Sequence, residues 1–390
     1  MIKIVFFTNY LFHHQYPLCR EMMKDPDVEF TFVSCEPLTQ ERISMGYDDL
    51  STLPFVIRSF ESERAYDKAM QLAIDADVAI FGSCDLKFLY ARMRENKLSF
   101  RYCERSLRKG TWRVLIPTTA RAIYKQYIRY RRKNLYILSA SAYTSLDLAM
   151  LGFNASKCFK WGYLPEVKRY NDFDILMNGK KPRSIIWVGR FIECKHPEFA
   201  LEAAKRLKEK GIEFSLKFIG DGPKREECER YVKTHLHNAD IKFLGSMKPD
   251  EVRRQMEESS IFIFTSDRYE GWGAVLGEAM NSGCAVLASH ACGSAPYLIE
   301  QDKNGRVYRY GDIHEFCSSL EDYLADDNLV KTLGDEAYNT MADLWNVECA
   351  VPRFINIVKS MLYKDSLPQY VSGPCSAAGI IKKQLVLISQ

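Results

Sequence analysis

The chain has 390 residues, 47% of them hydrophobic and 27% charged, and carries a formal net charge of +4 at pH 7. This composition excludes a disordered chain, and the length favours two domains over one or three. No apolar run of about 18 residues is present, and the start, MIKIVFFTNY, lacks the pattern of a signal peptide, so we expect a cytoplasmic protein. The cysteines are scattered without a C-x-x-C pair, which argues against a disulfide framework and against a zinc site.

Short apolar runs alternate with helical segments through the first half of the chain. Strands are predicted at residues 2–8, 28–33, 77–82, 98–103 and 135–139, with helices near 18–24 and from about residue 143. Strands that alternate with helices at this spacing indicate a parallel sheet with helices on both faces. We therefore expect a doubly wound α/β domain over residues 1–165.

An irregular stretch at residues 164–183 combines two prolines, a glycine and many charges without a sustained apolar period, and the interdomain linker is placed at 166–183. A second doubly wound domain is predicted at 184–345, with strands at 184–188, 214–219, 241–244, 261–265 and 285–288 and helices at 197–210, 314–325 and 328–344. A last helix, interrupted by Pro352, is predicted at 346–363, and no structure is assigned to the tail at 364–390.

Residues 101–133 form a basic segment, with eleven Lys or Arg residues against one acidic residue, Glu104. Aromatic and aliphatic side chains, among them Trp112, Leu115 and Tyr124, lie between the basic ones. Because such side chains give an interfacial helix something to insert, the pattern favours an anionic membrane surface over a nucleic acid as partner. The alternative is an ordinary solvated helix face, and the sequence leaves both open.

Glycines and charged residues follow four predicted strands of the second half. They are Gly189, Arg190 and Lys195 after the first strand, Gly220 and Gly222 after the second, Gly245 after the third, and Glu270, Gly271, Trp272 and Gly273 after the fourth. Carboxyl ends of parallel strands share one sheet edge, where ligands of open α/β folds bind. An arginine, a lysine and the free amides of a helix starting near Ala274 suit a diphosphate. Glu270 and Glu278 suit the hydroxyls of a sugar and of a ribose, because carboxylates accept several hydrogen bonds.

The motifs VGRFIECKH (188–196), FIGDGP (218–223), FLG (243–245) and EGWGAVLGEAMNSGCAVLAS (270–289) resemble the nucleotide-binding half of glycosyltransferase family 4. The segment FRYCERSLRKG (100–110) resembles exopolysaccharide- and capsule-type members. The resemblance implies the GT-B fold, in which two doubly wound Rossmann-like domains face each other across a cleft, with the acceptor on residues 1–165 and the donor on 184–345. It also implies that the helix at 346–363 returns to the first domain.

The resemblance assigns roles to several residues of the second half. It implies that Arg190 and Lys195 hold the donor diphosphate, that Glu270 contacts the transferred sugar and that Glu278 binds the ribose. The amides of residues 271–273 are implied to contact the donor as well. The first half matches the family only in outline, and His13, His14 and Glu104 are the acceptor-side residues we expect there.

The expected activity is a retaining transfer of a sugar from a UDP- or GDP-type donor to a glycan or lipid-linked acceptor in cell-surface polysaccharide synthesis. The nucleotide sugar is a substrate, and no metal or other cofactor is expected, because the D-x-D triplets at 75–77 and 172–174 lie at a strand entry and in the linker. Two alternatives stay open: a nucleotide-sugar epimerase of GT-B fold, and a non-catalytic nucleotide-sugar-binding protein.

Overall fold

A computed structural model describes residues 1–40, 43 and 48–381 of the chain. The described residues divide into two compact units, of which the first comprises Met1–Glu166 together with Asn346–Ile381. The second unit comprises Val167–Trp345. The sequence assigns no structure to the tail at 364–390. Residues 382–390 of this tail lie outside the described residues.

The described part of the first unit is built on a seven-stranded parallel sheet of order β3-β2-β1-β4-β5-β6-β7. Its strands are β1 (Ile2–Thr8), β2 (Val28–Ser34), β3 (Val56–Arg58), β4 (Val78–Phe81), β5 (Ser99–Cys103), β6 (Leu135–Ser139) and β7 (Cys158–Lys160). Its helices are Tyr16–Met22, Glu63–Asp75, Leu86–Arg94, Pro117–Gln126, Thr144–Ala149 and Val347–Tyr363. Strands β1 and β4 are buried along nearly their whole length, as parallel strands covered on both faces are.

The second unit contains a six-stranded parallel sheet of order β10-β9-β8-β11-β12-β13. Its strands are β8 (Lys181–Val188), β9 (Ser215–Ile219), β10 (Asp240–Phe243), β11 (Ser259–Phe264), β12 (Ala285–Ser289) and β13 (Arg306–Tyr308). Its helices are Phe173–Asn178, Pro197–Glu209, Arg225–His235, Pro249–Glu258, Ala274–Asn281, Ala295–Leu298, Ile313–Ala325 and Asp327–Asn339. The winding direction reverses between β8 and β11, and ligands of doubly wound sheets bind at the carboxyl ends of the strands at such a reversal.

The structure confirms the predicted doubly wound α/β architecture of both halves. The strands that the sequence did not predict, β3, β7 and β13, are three residues long and lie at sheet edges. The stretch expected to be irregular contains the helix Phe173–Asn178, because the Asp172 carboxylate caps it by accepting a hydrogen bond from the Ile175 amide at 3.1 Å.

The predicted interruption at Pro352 is wrong, since the helix Val347–Tyr363 runs through this residue. A proline inside a helix removes the hydrogen bond to the carbonyl four residues earlier, here that of Glu348. Glu348 is exposed, so water can satisfy this carbonyl. Buried side chains such as Val351 and Phe354 hold the helix in place on its other face.

Candidate functional site

The candidate site lies at the reversal point of the second sheet, at the carboxyl ends of β8 and β11. The loop after β8 carries residues 189–196, and the loop after β11 carries residues 265–273. Both strands are apolar and buried near these ends, so the loops start from fixed positions. The topology therefore brings two of the predicted motifs to one place.

Lys195 and Glu270 form a direct ion pair at this point. Their side chains are 14% and 17% exposed, so the pair is largely shielded from bulk water but still reachable. The Ser266 hydroxyl donates a hydrogen bond to Glu270 Oε2 at 3.4 Å, and the Lys195 ammonium lies 5.4 Å from the centre of the Phe264 ring. If an anionic ligand pairs with Lys195 in place of Glu270, the Glu270 carboxylate keeps its hydrogen bond with Ser266 and stays next to that ligand.

The two loops are joined by hydrogen bonds through Thr265, a fully buried residue that the sequence analysis did not single out. Its hydroxyl accepts a hydrogen bond from Trp187 Nε1 at 2.9 Å and donates one to the Lys195 carbonyl at 2.6 Å. The Asp267 amide also donates to the Cys194 carbonyl, at 3.0 Å. Threonine and aspartate are common after strands, so only the three-dimensional contacts identify these two.

His196, which was not among the predicted site residues, extends the same connection. Its Nδ1 lies 2.8 Å from Glu198 Oε1, and its Nε2 lies 3.1 Å from Asp267 Oδ2 and 3.0 Å from the Tyr310 hydroxyl. Burial opposes the charge on this ring, but the hydrogen bonds with Asp267 and Glu198 prevail and raise the pKa of His196 to about 9. The loop after β8 therefore carries two adjacent cations, Lys195 and His196, at neutral pH.

The glycines after β8, β9 and β10 hold these loops close together. The Gly189 amide donates to the Ile219 carbonyl at 3.0 Å, and the Gly220 amide donates to the Gly245 carbonyl at 2.8 Å. Gly222 has a φ of +147°, and a Cβ there would lie 2.7 Å from the Phe191 carbonyl oxygen. The amides of Gly189 and Gly220 are hydrogen-bonded within the protein, so these glycines allow the loops to pack closely. Contacts of the glycines with a nucleotide-sugar donor stay a prediction.

The motif at residues 271–273 anchors the start of the helix Ala274–Asn281. Trp272 is 2% exposed and packs against Trp345 and Tyr297, with ring centroids 5.9 and 6.2 Å away. Gly273 is the N-cap, with a φ of +83°. The first amides of a helix have no partner within it and carry the positive end of its dipole, so this end attracts anions.

Glu278 and Arg190 lie outside the ion pair. Glu278 is partly exposed in the second turn of the helix, and burial raises the pKa of its carboxyl while the nearby Arg253 opposes this rise. Arg190 is exposed, and its guanidinium has no ion-pair partner among the residues that the structure describes. Both side chains are thus available to a ligand, and neither is fixed by a contact with Lys195 or Glu270.

In the first unit, the expected acceptor-side residues are connected through Tyr163, which the sequence analysis missed. The rings of His13 and His14 lie 3.7 Å apart, and the His14 ring is parallel to that of Tyr163 at 6.1 Å. The Tyr163 hydroxyl donates to Glu104 Oε1 at 2.6 Å, and Glu104 also pairs with Arg108 at 3.3 Å. One polar and aromatic cluster therefore contains all three predicted residues.

A cavity of about 410 Å³ lies elsewhere in the first unit, beyond the carboxyl ends of β2, β3 and β4. It is lined by Cys35, Glu36, Ser59, Phe60, Tyr66, Ser83, Cys84, Asp85 and Phe88. The Tyr66 hydroxyl donates to Asp85 at 3.1 Å within it. None of the predicted acceptor-side residues lines this cavity, so it is a separate feature of the unit.

The basic segment at 101–133 is only partly a surface feature, which corrects the expectation that its charges act together. Arg101 is buried and donates to the Gly82 carbonyl at 2.8 Å. Arg105 pairs at 3.3 Å with the fully buried Asp147. A sequence counts charges without their direction, and these two cations point inward. Exposed apolar residues do occur as predicted, with Trp112 59% and Leu115 81% exposed. None of the described helices is both long and apolar enough to span a membrane.

Comparison with known proteins agrees with the geometry of the second unit. The family model for glycosyl transferases group 1 matches residues 169–340. The sulfoquinovosyl transferase SQD2 of Arabidopsis thaliana is 30% identical over 166 residues, which are 42% of this chain and 31% of that protein. The amylovoran biosynthesis glycosyltransferase AmsK of Erwinia amylovora is 30% identical over 207 residues, 50% of this chain and 49% of that protein. The chain thus spans half or less of the length of these relatives.

Similar solved structures cover nearly the whole chain. HepE from Anabaena in complex with UDP has a TM-score of 0.69 at 14% identity, covering 92% of this chain and 100% of that one. The lipopolysaccharide outer core galactosyltransferase WaaB in its apo form has a TM-score of 0.66 at 18% identity, with coverage of 92% and 100%. At these identities the likeness concerns the fold. The predicted resemblance is confirmed at this level: residues 169–340 match the family model for glycosyl transferases group 1, and the two Rossmann-like units have the GT-B fold.

Proposed function

We propose that the protein is a retaining glycosyltransferase that uses a UDP- or GDP-type sugar and transfers the sugar to a glycan or lipid-linked acceptor in cell-surface polysaccharide synthesis. The observation that carries this proposal is the Lys195–Glu270 ion pair at the reversal point of the second sheet. The amylovoran biosynthesis named for the relative AmsK supports a role in polysaccharide synthesis. The UDP and UDP-glucose named for the HepE structures support the donor class.

In this proposal, the protein stabilises the charge that leaves with the diphosphate. Negative charge grows on the phosphate as its bond to the sugar breaks. Lys195, the exposed Arg190 and the amides at the start of the helix Ala274–Asn281 supply positive charge there, each such contact being worth roughly 3 kcal/mol in a site that excludes water. These groups are the reason to propose a reaction without a metal ion.

Glu270 has a recognition role in this scheme. Its carboxylate, held by Lys195 and Ser266, accepts hydrogen bonds from hydroxyls of the transferred sugar. The departing phosphate oxygen accepts the proton of the acceptor hydroxyl as the new bond forms on the same face of the sugar. No protein base is needed, and Glu278 binds the ribose at the other end of the donor.

The experiment is a donor screen on the full chain. Released nucleotide is measured for a panel of UDP- and GDP-sugars, with and without membrane extract, for the wild type and for Lys195→Met and Glu270→Gln. We expect one donor to be turned over and Lys195→Met to lower its turnover at least about 100-fold, the size typical for loss of a charge-stabilising contact. Glu270→Gln should also lower turnover, because it replaces the carboxylate that accepts hydrogen bonds from the sugar hydroxyls. Lys210→Met is the matched control, because it removes a lysine from another ion pair of the same unit, that with Glu321.

Two outcomes would count against the proposed function. If no donor of the panel is turned over or bound, the protein is not a transferase of this class. If a donor is turned over equally by the wild type and Glu270→Gln, the reaction takes place somewhere other than at the Lys195–Glu270 pair.

We further propose that the first unit contacts an anionic membrane surface at the inner face of the cytoplasmic membrane, where a lipid-linked acceptor would be presented. The short helical turn Thr111–Leu115 and the helix Pro117–Gln126 expose the apolar side chains Trp112, Leu115 and Tyr124. Arg121 is exposed on the same helix. Apolar side chains next to cations are the composition that inserts into the headgroup region of anionic lipids.

A further inference from the structure

His196 adopts a backbone conformation that side-chain-bearing residues rarely take. Its φ and ψ are 47° and 54°, in the left-handed region, where the Cβ of an ordinary residue is crowded by the backbone. It forms the junction between the turn that carries Lys195 and the helix Pro197–Glu209. Glycine would adopt this conformation without strain, so a histidine here indicates that its side chain has a use.

The imidazole ring lies between two carboxylates. Nδ1 faces Glu198 Oε1 at 2.8 Å, and Nε2 faces Asp267 Oδ2 at 3.1 Å. A carboxylate only accepts hydrogen bonds, so both ring nitrogens must donate, and only the doubly protonated ring does so. The contacts therefore select the imidazolium form of His196 on geometric grounds.

Asp267 connects this ring to Glu270. Its Oδ1 accepts a hydrogen bond from the Tyr269 amide at 2.7 Å, and its carbonyl accepts one from the Glu270 amide at 3.1 Å. These two bonds shape the turn on which Glu270 stands. His196 is in turn the neighbour of Lys195 in the chain, so the bond between His196 and Asp267 ties the backbone of one member of the ion pair to that of the other.

We propose that His196 is a positioning residue whose imidazolium holds the Lys195 and Glu270 loops in the arrangement that binds the nucleotide diphosphate, so that donor binding weakens when the ring loses its proton. This inference rests on the proposed donor site. Deprotonation removes one N–H, which leaves one of the two carboxylates facing a bare nitrogen and repelled by it. The loop that loses its bond is then free to shift.

The surroundings of the ring favour the proton. The charged and titratable groups that face it or border its partners are Glu198, Asp267, Tyr310, Lys195, Lys224 and Glu193. Lys224 pairs with Glu193 and with Glu198, so His196 shares the Glu198 carboxylate with a lysine. The Asp267 carboxylate pairs with His196 and not with Lys224. The two hydrogen bonds outweigh burial and place the pKa of His196 at about 9, inside a range that an experiment can cross.

The test is calorimetric binding of UDP and of GDP to the full chain at about pH 7.5 and about pH 9.5. With a pKa of about 9, roughly a quarter of His196 keeps its proton at the higher pH, so the affinity of the wild type should fall about fourfold. His196→Gly keeps the backbone conformation, and His196→Asn keeps a short polar side chain that tolerates it. Both variants should bind more weakly at the lower pH and show no further loss at the higher one.

The controls separate this inference from the proposed function. His314→Asn removes an exposed histidine of the same unit and should follow the wild type at both pH values. If the wild type binds one of the nucleotides and both His196 variants match its affinity and its pH profile, the positioning role is overturned while the donor site stands. If the wild type binds neither nucleotide, the proposed donor site fails, and this inference fails with it. Circular dichroism at both pH values verifies that each variant is folded.

Discussion

Replacing Gly273 by alanine should be among the most damaging small changes in the second unit. Gly273 has a φ of +83°, and a Cβ there would lie 2.6 Å from Phe264 Cζ and 3.0 Å from Cys292 Sγ. Phe264 is 2% exposed and Cys292 is fully buried, so neither has open space into which to move. The substitution therefore combines an unfavourable backbone conformation with an overlap in a packed core.

The two costs can be estimated separately. A left-handed conformation costs a residue with a Cβ about 1–2 kcal/mol, and insertion of a methyl group into a packed core costs about 1–3 kcal/mol. Gly273→Ala should therefore lower the free energy of unfolding by about 2–5 kcal/mol. Gly211 provides the matched control, because its φ is +71° and nothing lies within 4 Å of a Cβ built there. Gly211→Ala should carry only the cost of the left-handed conformation, which lowers the free energy of unfolding by about 1–2 kcal/mol.

Differential scanning calorimetry of the full chain measures both variants. For a unit of this size the unfolding temperature falls by about 2–4 °C per kcal/mol, so the two variants should differ by at least a few degrees in the same transition. Gly273→Ala should also bind UDP more weakly, since the start of the helix moves. Equal shifts for the two variants would refute the reasoning, because they would show that the contacts with Phe264 and Cys292 add nothing.

Three further outcomes are expected. Because the pKa of His196 is raised from 6.5 to about 9, its stabilising contribution is complete below pH 6.5 and is lost as the pH rises through about 9. In urea denaturation, the difference in free energy of unfolding between the wild type and His196→Asn should therefore decrease by roughly 3 kcal/mol between about pH 6.5 and 9.5. A difference that stays constant over this range would contradict the prediction. Trp112→Ser should reduce sedimentation with phosphatidylglycerol vesicles. Met150→Ser, which changes a similarly exposed residue of the same unit, should not reduce it. Equal effects of the two changes would argue against the proposed membrane-binding surface. Arg92→Met should cost at least about 3 kcal/mol in chemical denaturation, since the buried Arg92 donates to four main-chain carbonyls, while the exposed Arg94→Met should be near neutral.

The sequence predicted the central strands of both sheets because these strands are buried on both faces and read as continuous apolar runs. The segment 261–264, IFIF, is such a run and is fully buried in β11. The edge strands β3, β7 and β13 escaped prediction because three-residue strands that are partly exposed leave no period to detect. The remaining edge strand, β10, was predicted, at 241–244.

The residues of the site divide along similar lines. Lys195 and Glu270 were predictable because charged residues just after buried strands point to one sheet edge, and the structure places them in contact. Thr265, Asp267 and His196 were not predictable, because their importance comes from hydrogen bonds between two loops about 70 residues apart, as the 71-residue separation of His196 from Asp267 illustrates. Pattern reading finds the charged groups of the site and misses the groups that hold them.

The glycines after β8, β9 and β10 have a structural role in addition to the predicted one. They were predicted to contact the donor because they follow strand ends, and in the structure the amides of Gly189 and Gly220 donate to protein carbonyls. In the proposed site, a diphosphate at this edge would be held by Lys195, by Arg190 and by the first amides of the helix Ala274–Asn281. This shifts the expected effect of substitution: changes at Gly189 or Gly220 should act mainly through the spacing of the loops, and changes at Lys195 should act directly on the anion.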